Sequence, residues 1–460
     1  MNRELYELVG QPRDTGCKYL IATGALSVNL AVMVWMYNLS LAINLGMEMS
    51  TTILAIGLMV FFAHFLSLQF RRTNIPDVLV LMLVGILIGP VFGFMSPADF
   101  GRVGSLVAAI ALVVILFEGG TSLNIGVFNK SLGTIGLLAM GGFVLTAIIV
   151  TLVGLYALGM TLLPASLLGV ILGSTAASVV IPLVSTLRLS EKSATVVVLE
   201  SALTDVLSIV IVFALLQVHS QGEIEPGRLI GTVMSSLVFA AVIGVVGGIG
   251  WLLVLGKLRD FPNTISSTLA YVFIVYGLTE MLGFSGAIAA LALGITLTNF
   301  EKFGLHRIPS INRNLVPLNE MDLMFYGEAV FLLKTYFFVY LGISIRFGDL
   351  KVALIAMATV VIVYIMRIVL TRYIFRDSSY SLRDTAITSM LAPKGLASAV
   401  LATLPLKEGI AGGELIRDVT FMVILVSITL TAILVMAFPV PGVQKIYARF
   451  LGKKPSSDNK

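Results

Sequence analysis

The stretch Glu200-Ser201-Ala202-Leu203-Thr204-Asp205 places two carboxylates inside an apolar run, 194–216, that is long enough to cross a bilayer. An ionisable group at that depth costs about +2.5 to +3.5 kcal/mol on insertion scales, so each acid needs a reason to be there. On a helix, Ser201, Thr204 and Asp205 share one face, being three and four residues apart. Glu200 lies about 140° round from Asp205 at ~100° per residue, so the two acids do not share one site. Asp205 with two hydroxyls is a set of hard oxygen ligands that suits a small alkali cation. A carboxyl in a dehydrated cavity holds a proton or, when ionised, a cation. The two loaded forms carry equal net charge, so exchange of one for the other is chemically natural. The bland alternative is an acid hydrogen-bonded for helix packing. Glu200 needs a positive partner, and the cations within apolar spans are Arg367, Lys334 and Lys394. Arg367, in the span before the second interrupted helix described below, is the expected one.

Other polar residues are less specific. Glu118, in Phe117-Glu118-Gly119-Gly120, is either a second functional acid or a helix-end residue near the surface. Lys394 either offsets helix C-terminal dipoles or snorkels to the interface. Glu328 and Lys334 read as scaffold or interface charges, and His64 as a packed histidine. No metal-ligand spacing, phosphate-binding loop or dinucleotide fingerprint is present, and no catalytic partner accompanies Gly173-Ser174-Thr175. The expectation is a protein that is not an enzyme and uses no cofactor, the only metal being a monovalent cation at Asp205.

The elements that must position these residues are membrane spans. The chain of 460 residues is 58% hydrophobic and 12% charged, with a mean hydropathy of +1.01; a soluble domain carries roughly twice that charge. The net charge of +5 is modest and gives no reason to expect nucleic-acid binding. A lone cysteine, Cys17, excludes an internal disulfide. No cleaved signal peptide is expected. Apolar runs of bilayer length fall at 51–70, 75–95, 103–125, 132–159, 162–187, 194–216, 229–255, 264–282, 283–298, 324–345, 352–374, 385–404 and 419–438. That is about thirteen spans, with 19–38 either an extra N-terminal span or an interfacial segment.

Basic residues set the orientation. Arg71, Arg72, Lys130, Arg188, Lys192, Lys257, Arg259, Lys302, Arg307, Arg313, Arg372, Arg376 and Arg383 fall in one set of loops. The alternate set holds only Arg102, Arg228, Arg346, Lys351, Lys407 and Arg417. The richer side, which includes the C-terminus, is assigned to the cytoplasm of a multi-pass protein of the cell membrane. The tail beyond Lys453 is expected to be disordered.

Thirteen spans divide as six, one and six, the arithmetic of two inverted repeats. The fifth span of each half is interrupted, by Gly173-Ser174-Thr175-Ala176-Ala177-Ser178 with Pro182, and by Ala392-Pro393-Lys394-Gly395. Gly and Pro also mark simple kinks, but two interruptions at corresponding positions favour a binding site.

These motifs, in this order and spacing over 51–438, resemble the monovalent cation:proton antiporters, the sodium/proton-exchanger branch of the cation/proton antiporter superfamily. The resemblance implies an all-α polytopic fold with paired discontinuous helices, and alternating access in which Na+, or K+ or Li+, exchanges for H+. The family's electroneutral branch carries Glu-Ser-x-x-Asn-Asp on this helix; Glu200, Ser201 and Asp205 match, and Thr204 stands where Asn is usual. Threonine cannot titrate, so one-for-one electroneutral exchange is expected. The resemblance implies that Asp205 binds cation and proton, with ligands from Ser201 and from the broken helix near Thr175, and Ser174 beside it. It also implies a Glu200–Arg367 ion pair, Glu118 near the cytoplasmic side of the site, and Lys394 where arginine is common. A homodimer and an elevator-like motion follow from the same likeness. The expected divisions are an N-terminal segment 1–50, scaffold and dimerisation helices 51–128, a first transport core 129–217, linking and scaffold helices 218–346, a second transport core 347–439 and a cytoplasmic tail 440–460. The competing reading is a cation channel or ion-sensing membrane protein on the same fold.

Overall fold

The computed structural model describes Gly57, Phe61 and residues 77–453, apart from 98–100, 122–124, 188, 222–225, 259–263, 306–316 and 377–379. The expected segment 19–38, most of the span 51–70, His64 and the tail beyond Lys453 lie outside the described residues. The chain divides into two units, Met1–His64 and Phe65–Lys460. In the first, Gly57 and Phe61 are helical. The second is built of helices, which we number α1 (Asp77–Ile86), α2 (Gly101–Thr121), α3 (Ile125–Tyr156), α4 (Leu162–Gly173), α5 (Ala177–Thr186), α6 (Glu191–Gln221), α7 (Pro226–Leu258), α8 (Thr264–Met281), α9 (Gly286–Thr298), α10 (Glu320–Ser344), α11 (Leu350–Ile374), α12 (Leu382–Met390), α13 (Leu396–Lys407), α14 (Gly413–Ala437) and α15 (Pro441–Leu451). A π-helical turn over Leu87–Val91, holding Pro90, ends α1.

Among the described residues seven helical segments are long and apolar enough to cross a membrane, and four more apolar helices are shorter. Two expected spans are interrupted, and at the second of them neither half is long enough to count among the seven. The span 162–187 is two helices, α4 and α5, and 385–404 is α12 and α13. Gly173 is the last helical residue of α4, and Ser174 turns extended at φ −73°, ψ 154°. Serine and threonine compete for their own backbone and disfavour helix interiors. In the second break Pro393 disfavours helix at the residue before it, and Met390 is the last helical residue of α12. One element was not foreseen: residues 441–451, assigned to a tail, form α15, with Pro441 in its first turn and Gly452 in the left-handed conformation behind it.

The helices pack as two bundles. In one, α1 and α2 pack on α10, and α9 packs on α2, α7 and α8. In the other, α3 packs on α4, α6 and α11, and α13 and α11 pack on α14. Much of α3 faces outward with apolar side chains (Leu137, Met140, Val144, Ile148 and Leu152 are all exposed), as lipid contact requires. The broken helix α4–α5 is almost wholly enclosed.

Glycines bring the backbones of the first bundle together. A Cβ at Gly342 of α10 would sit 2.2 Å from the Met82 carbonyl oxygen of α1 and 2.9 Å from Gly85 Cα. Lipid supplies no hydrophobic drive between helices, so such close approach is the main source of their attraction. In the second bundle a Cβ on Gly169 would meet the Ala147 carbonyl oxygen at 2.4 Å. Gly342→Val should therefore lower the thermal unfolding midpoint in detergent sharply, a cost of about 3 kcal/mol or more. Gly327→Ala on the same helix, where a Cβ meets nothing within 4 Å, should leave the midpoint unchanged or raise it slightly.

Candidate functional site

The site forms where the two broken helices cross. Backbone groups released at each break must find partners in an apolar interior. At the end of α4, Ser208 Oγ donates to Val170 O at 2.9 Å, Ser398 Oγ donates to Ile171 O at 2.9 Å, and Lys394 Nζ donates to Ser174 O at 2.8 Å. At the end of α12, Arg367 donates from Nε to Thr388 O at 3.4 Å and from Nη2 to Leu391 O at 3.3 Å. A buried cation thus faces the carbonyl end of each half-helix, where the dipole is negative. The two extended segments touch directly: Ala176 N donates to Pro393 O at 2.8 Å. A Cβ on Gly395 would lie 2.5 Å from Ala176 Cβ, so only glycine fits that crossing as it stands.

Arg367 and Glu200, both almost fully buried, form a bidentate pair with Nη1–Oε1 and Nη2–Oε2 each at 2.8 Å. Thr175 Oγ1 adds a hydrogen bond to Glu200 Oε1 at 3.1 Å. Lys334, considered as a partner for Glu200, instead holds Asp77 at 2.7 Å in the other bundle.

Asp205 stands apart from that pair. Its side chain is 6% exposed. It faces the Ala177 amide at the start of α5 and the Ser174 hydroxyl, with Lys394 and Glu200 within electrostatic reach. Its Oδ1 is buried and has no hydrogen-bond partner among the described residues. The hydroxyls expected around it are otherwise placed. Ser201 Oγ donates to Val198 O at 2.8 Å. Thr204 Oγ1 donates to Ser201 O at 3.1 Å and accepts from Thr175 N at 3.0 Å, tying α6 to the break. Ser174 Oγ lies 3.0 Å from Ser398 Oγ as well as facing Asp205, and has a single proton to give. Glu118 sits partly buried in α2, within electrostatic reach of Lys334.

Several positioning residues escape a reading of the sequence. Ser398, Ser427 and Ser208 are buried hydroxyls of kinds that recur in many spans. Ser427 Oγ accepts from Lys394 N at 3.0 Å. Asp384, at the start of α12, receives Ser190 N at 3.1 Å and Ser190 Oγ at 2.9 Å, and so holds the N-terminal end of α6. Beside it Arg383 Nη2 donates to Leu187 O at 3.0 Å, at the end of α5. The charged dipeptide Arg383-Asp384 next to a span was the available signal.

The profile described as "Sodium/hydrogen exchanger, transmembrane" matches residues 57–437. The chain belongs to the sodium/hydrogen exchanger family. Among its relatives, the K(+)/H(+) antiporter NhaP2 of Shewanella baltica is 27% identical over 372 residues, covering 79% of this chain and 62% of that protein. The Na(+)/H(+) antiporter NhaS2 of Synechocystis is 26% identical over 380 residues, covering 80% and 66%. The match to the Shewanella protein thus takes in less than two thirds of its length. The solved structure of the sodium proton antiporter MjNhaP1 from Methanocaldococcus jannaschii at pH 8 superposes with a TM-score of 0.67 at 20% identity, covering 88% of this chain and all of that one. It establishes the exchanger fold for this sequence.

The buried pair gives a direct test. Glu200→Gln or Arg367→Gln alone strands the other charge and should destabilise the protein by about 3–5 kcal/mol. The double variant Glu200→Gln/Arg367→Gln should lose less than the sum of the two singles. Thermal unfolding of the four proteins in one detergent measures both statements.

Proposed function

We propose that the chain is a secondary antiporter that exchanges a monovalent cation for H+ at Asp205 by alternating access. The carrying observation is a buried carboxylate with an unpartnered oxygen beside the crossing of two interrupted helices. Family membership sets the context, and relatives named for K+/H+ and for Na+/H+ exchange make either cation a reasonable cargo. Na+ is the first choice here, with K+ and Li+ to be compared.

The charges around Asp205 favour one-for-one exchange. Glu200 and Arg367 cancel in a bidentate pair, and Lys394 is held by the Ser174 carbonyl. Asp205 is left to take one proton or one cation. Ser201, one turn from Asp205 on α6, and Ser174 and Thr175 at the break that packs on α6 carry oxygens to add as ligands, and Thr204 orients α6 against the break. Loading by either ion neutralises the carboxylate, so the two loaded forms of the site carry the same charge across the barrier. In this reading the α3–α6 and α11–α14 helices move together as an elevator against the bundle of α1, α2 and α7–α10, the two broken-helix units are inverted repeats, two copies form a homodimer, and the C-terminal end faces the cytoplasm.

Purified protein in liposomes should move protons when a Na+, K+ or Li+ gradient is imposed, and should do so without a membrane potential if exchange is one-for-one. Asp205→Asn should abolish the coupled movement while leaving the unfolding midpoint close to that of the parent. Cation flux with no proton movement would favour the channel reading, and full activity in Asp205→Asn would reject the site.

A further inference from the structure

Helix α15 follows the last long apolar helix after a turn of three residues and has a surface that the transport reading does not use. Side chains four apart share a face of a helix, so its residues form adjacent stripes about 100° apart. Tyr447 and Leu451 form the inward stripe and are buried; the Tyr447 ring meets the Phe438 ring edge-on at 6.2 Å. Ile446 and Phe450 form the next stripe and are 55% and 63% exposed. Lys445 and Arg449 form the one beyond, both exposed. The helix holds no acidic residue.

The helix is also fixed in place. Arg372 Nη1 of α11 donates to Phe450 O at 2.9 Å. Lys453 Nζ donates to Tyr380 O, and the Tyr380 ring also carries Lys192 at 4.2 Å. These contacts tie α15 to α11, which bears Arg367, and to the start of α12. The exposed stripe therefore cannot be hidden by a small roll of the helix without breaking them.

Two large apolar side chains one turn apart, flanked by two cations and no anion, are poorly placed in water. At the edge of a bilayer the same arrangement is favourable: the apolar stripe enters the acyl boundary and the adjacent basic stripe meets phosphate oxygens. We propose that α15 is an interfacial helix that binds the surface of an anionic leaflet, with Ile446 and Phe450 inserted and Lys445 and Arg449 on lipid phosphates. Because α15 is pinned to α11 and to the start of α12, this contact links one end of the second broken-helix unit to the leaflet surface. The lipid contact itself stands whether or not the chain exchanges ions.

The test places an indole on the inserted stripe of the full chain with Phe450→Trp, reconstituted in phosphatidylcholine or in a phosphatidylcholine–phosphatidylglycerol mixture. Quenching is read as the excess over the parent, which holds two tryptophans. Lipids brominated high on the acyl chain should quench the added emission, and acrylamide should not. Phosphatidylglycerol should increase that quenching, and Lys445→Glu/Arg449→Glu in the same background should remove the increase. Strong quenching by acrylamide would overturn the proposal, because the stripe would then face water. Shielding from both quenchers would also overturn it, in favour of a second copy or a soluble partner. Lipid quenching indifferent to phosphatidylglycerol and to the charge reversal would reject the anionic-lipid assignment. Slower amide hydrogen exchange over 441–451 in the unmodified chain when phosphatidylglycerol is added is the check that needs no substitution, and an unchanged rate counts against the proposal.

Discussion

Two helices stop part-way through an apolar interior, and every peptide group they release has to be met there by protein. An unpaired amide or carbonyl in such a place costs several kcal/mol, with estimates of roughly 2–7 kcal/mol. The chain meets this demand with a small set of residues. Lys394 and Arg367 each cover the carbonyl end of one half-helix. Ser208 and Ser398 cover further carbonyls, Thr204 takes the Thr175 amide, and Ala176 and Pro393 pair across the crossing. Arg367 also neutralises Glu200, so one guanidinium serves both a backbone end and a buried acid. With these needs met, one carboxylate oxygen of Asp205 is left over. A buried oxygen that the fold does not consume is what an exchangeable ion requires.

The same economy shapes the packing. The first bundle is locked by backbone contact at glycines, which leaves little room for α1 and α10 to slide past one another. The second is tied internally by polar contacts: the Glu200–Arg367 pair joins α6 to α11, and Asp384 joins α12 to the start of α6. Two bodies, each bonded more densely within itself than to the other, suit a mechanism in which one moves against the other. Helix α15 belongs with the moving side in this reading, through Arg372.

Much of this was legible in the residues. A membrane protein shows in the apolar runs, and costly charges within them are few enough to be weighed singly. The 140° separation of Glu200 from Asp205 follows from helix geometry and matches the different partners the two acids have. The breaks announced themselves through Gly173-Ser174-Thr175 and Pro393. Hydroxyl direction was not legible. Ser201 and Thr204 share a face with Asp205, yet each spends its proton on a backbone carbonyl of its own helix. Helical spacing sets the face a side chain occupies but not its rotamer. The second role of Arg367 was hidden for a related reason, since its carbonyl partners exist only once α12 has stopped. Helix α15 was missed because its apolar residues are too few to read as a span, although they fall on one side.

The central claim is that one cation and one proton compete for Asp205. Calorimetric titration of the purified protein with Na+ and with K+ at a series of pH values tests it without any transport step. The account predicts that the number of cations bound stays fixed while apparent affinity falls as protons are added, and that Asp205→Asn binds none at this site. Affinity independent of pH, or binding retained in Asp205→Asn, would contradict it.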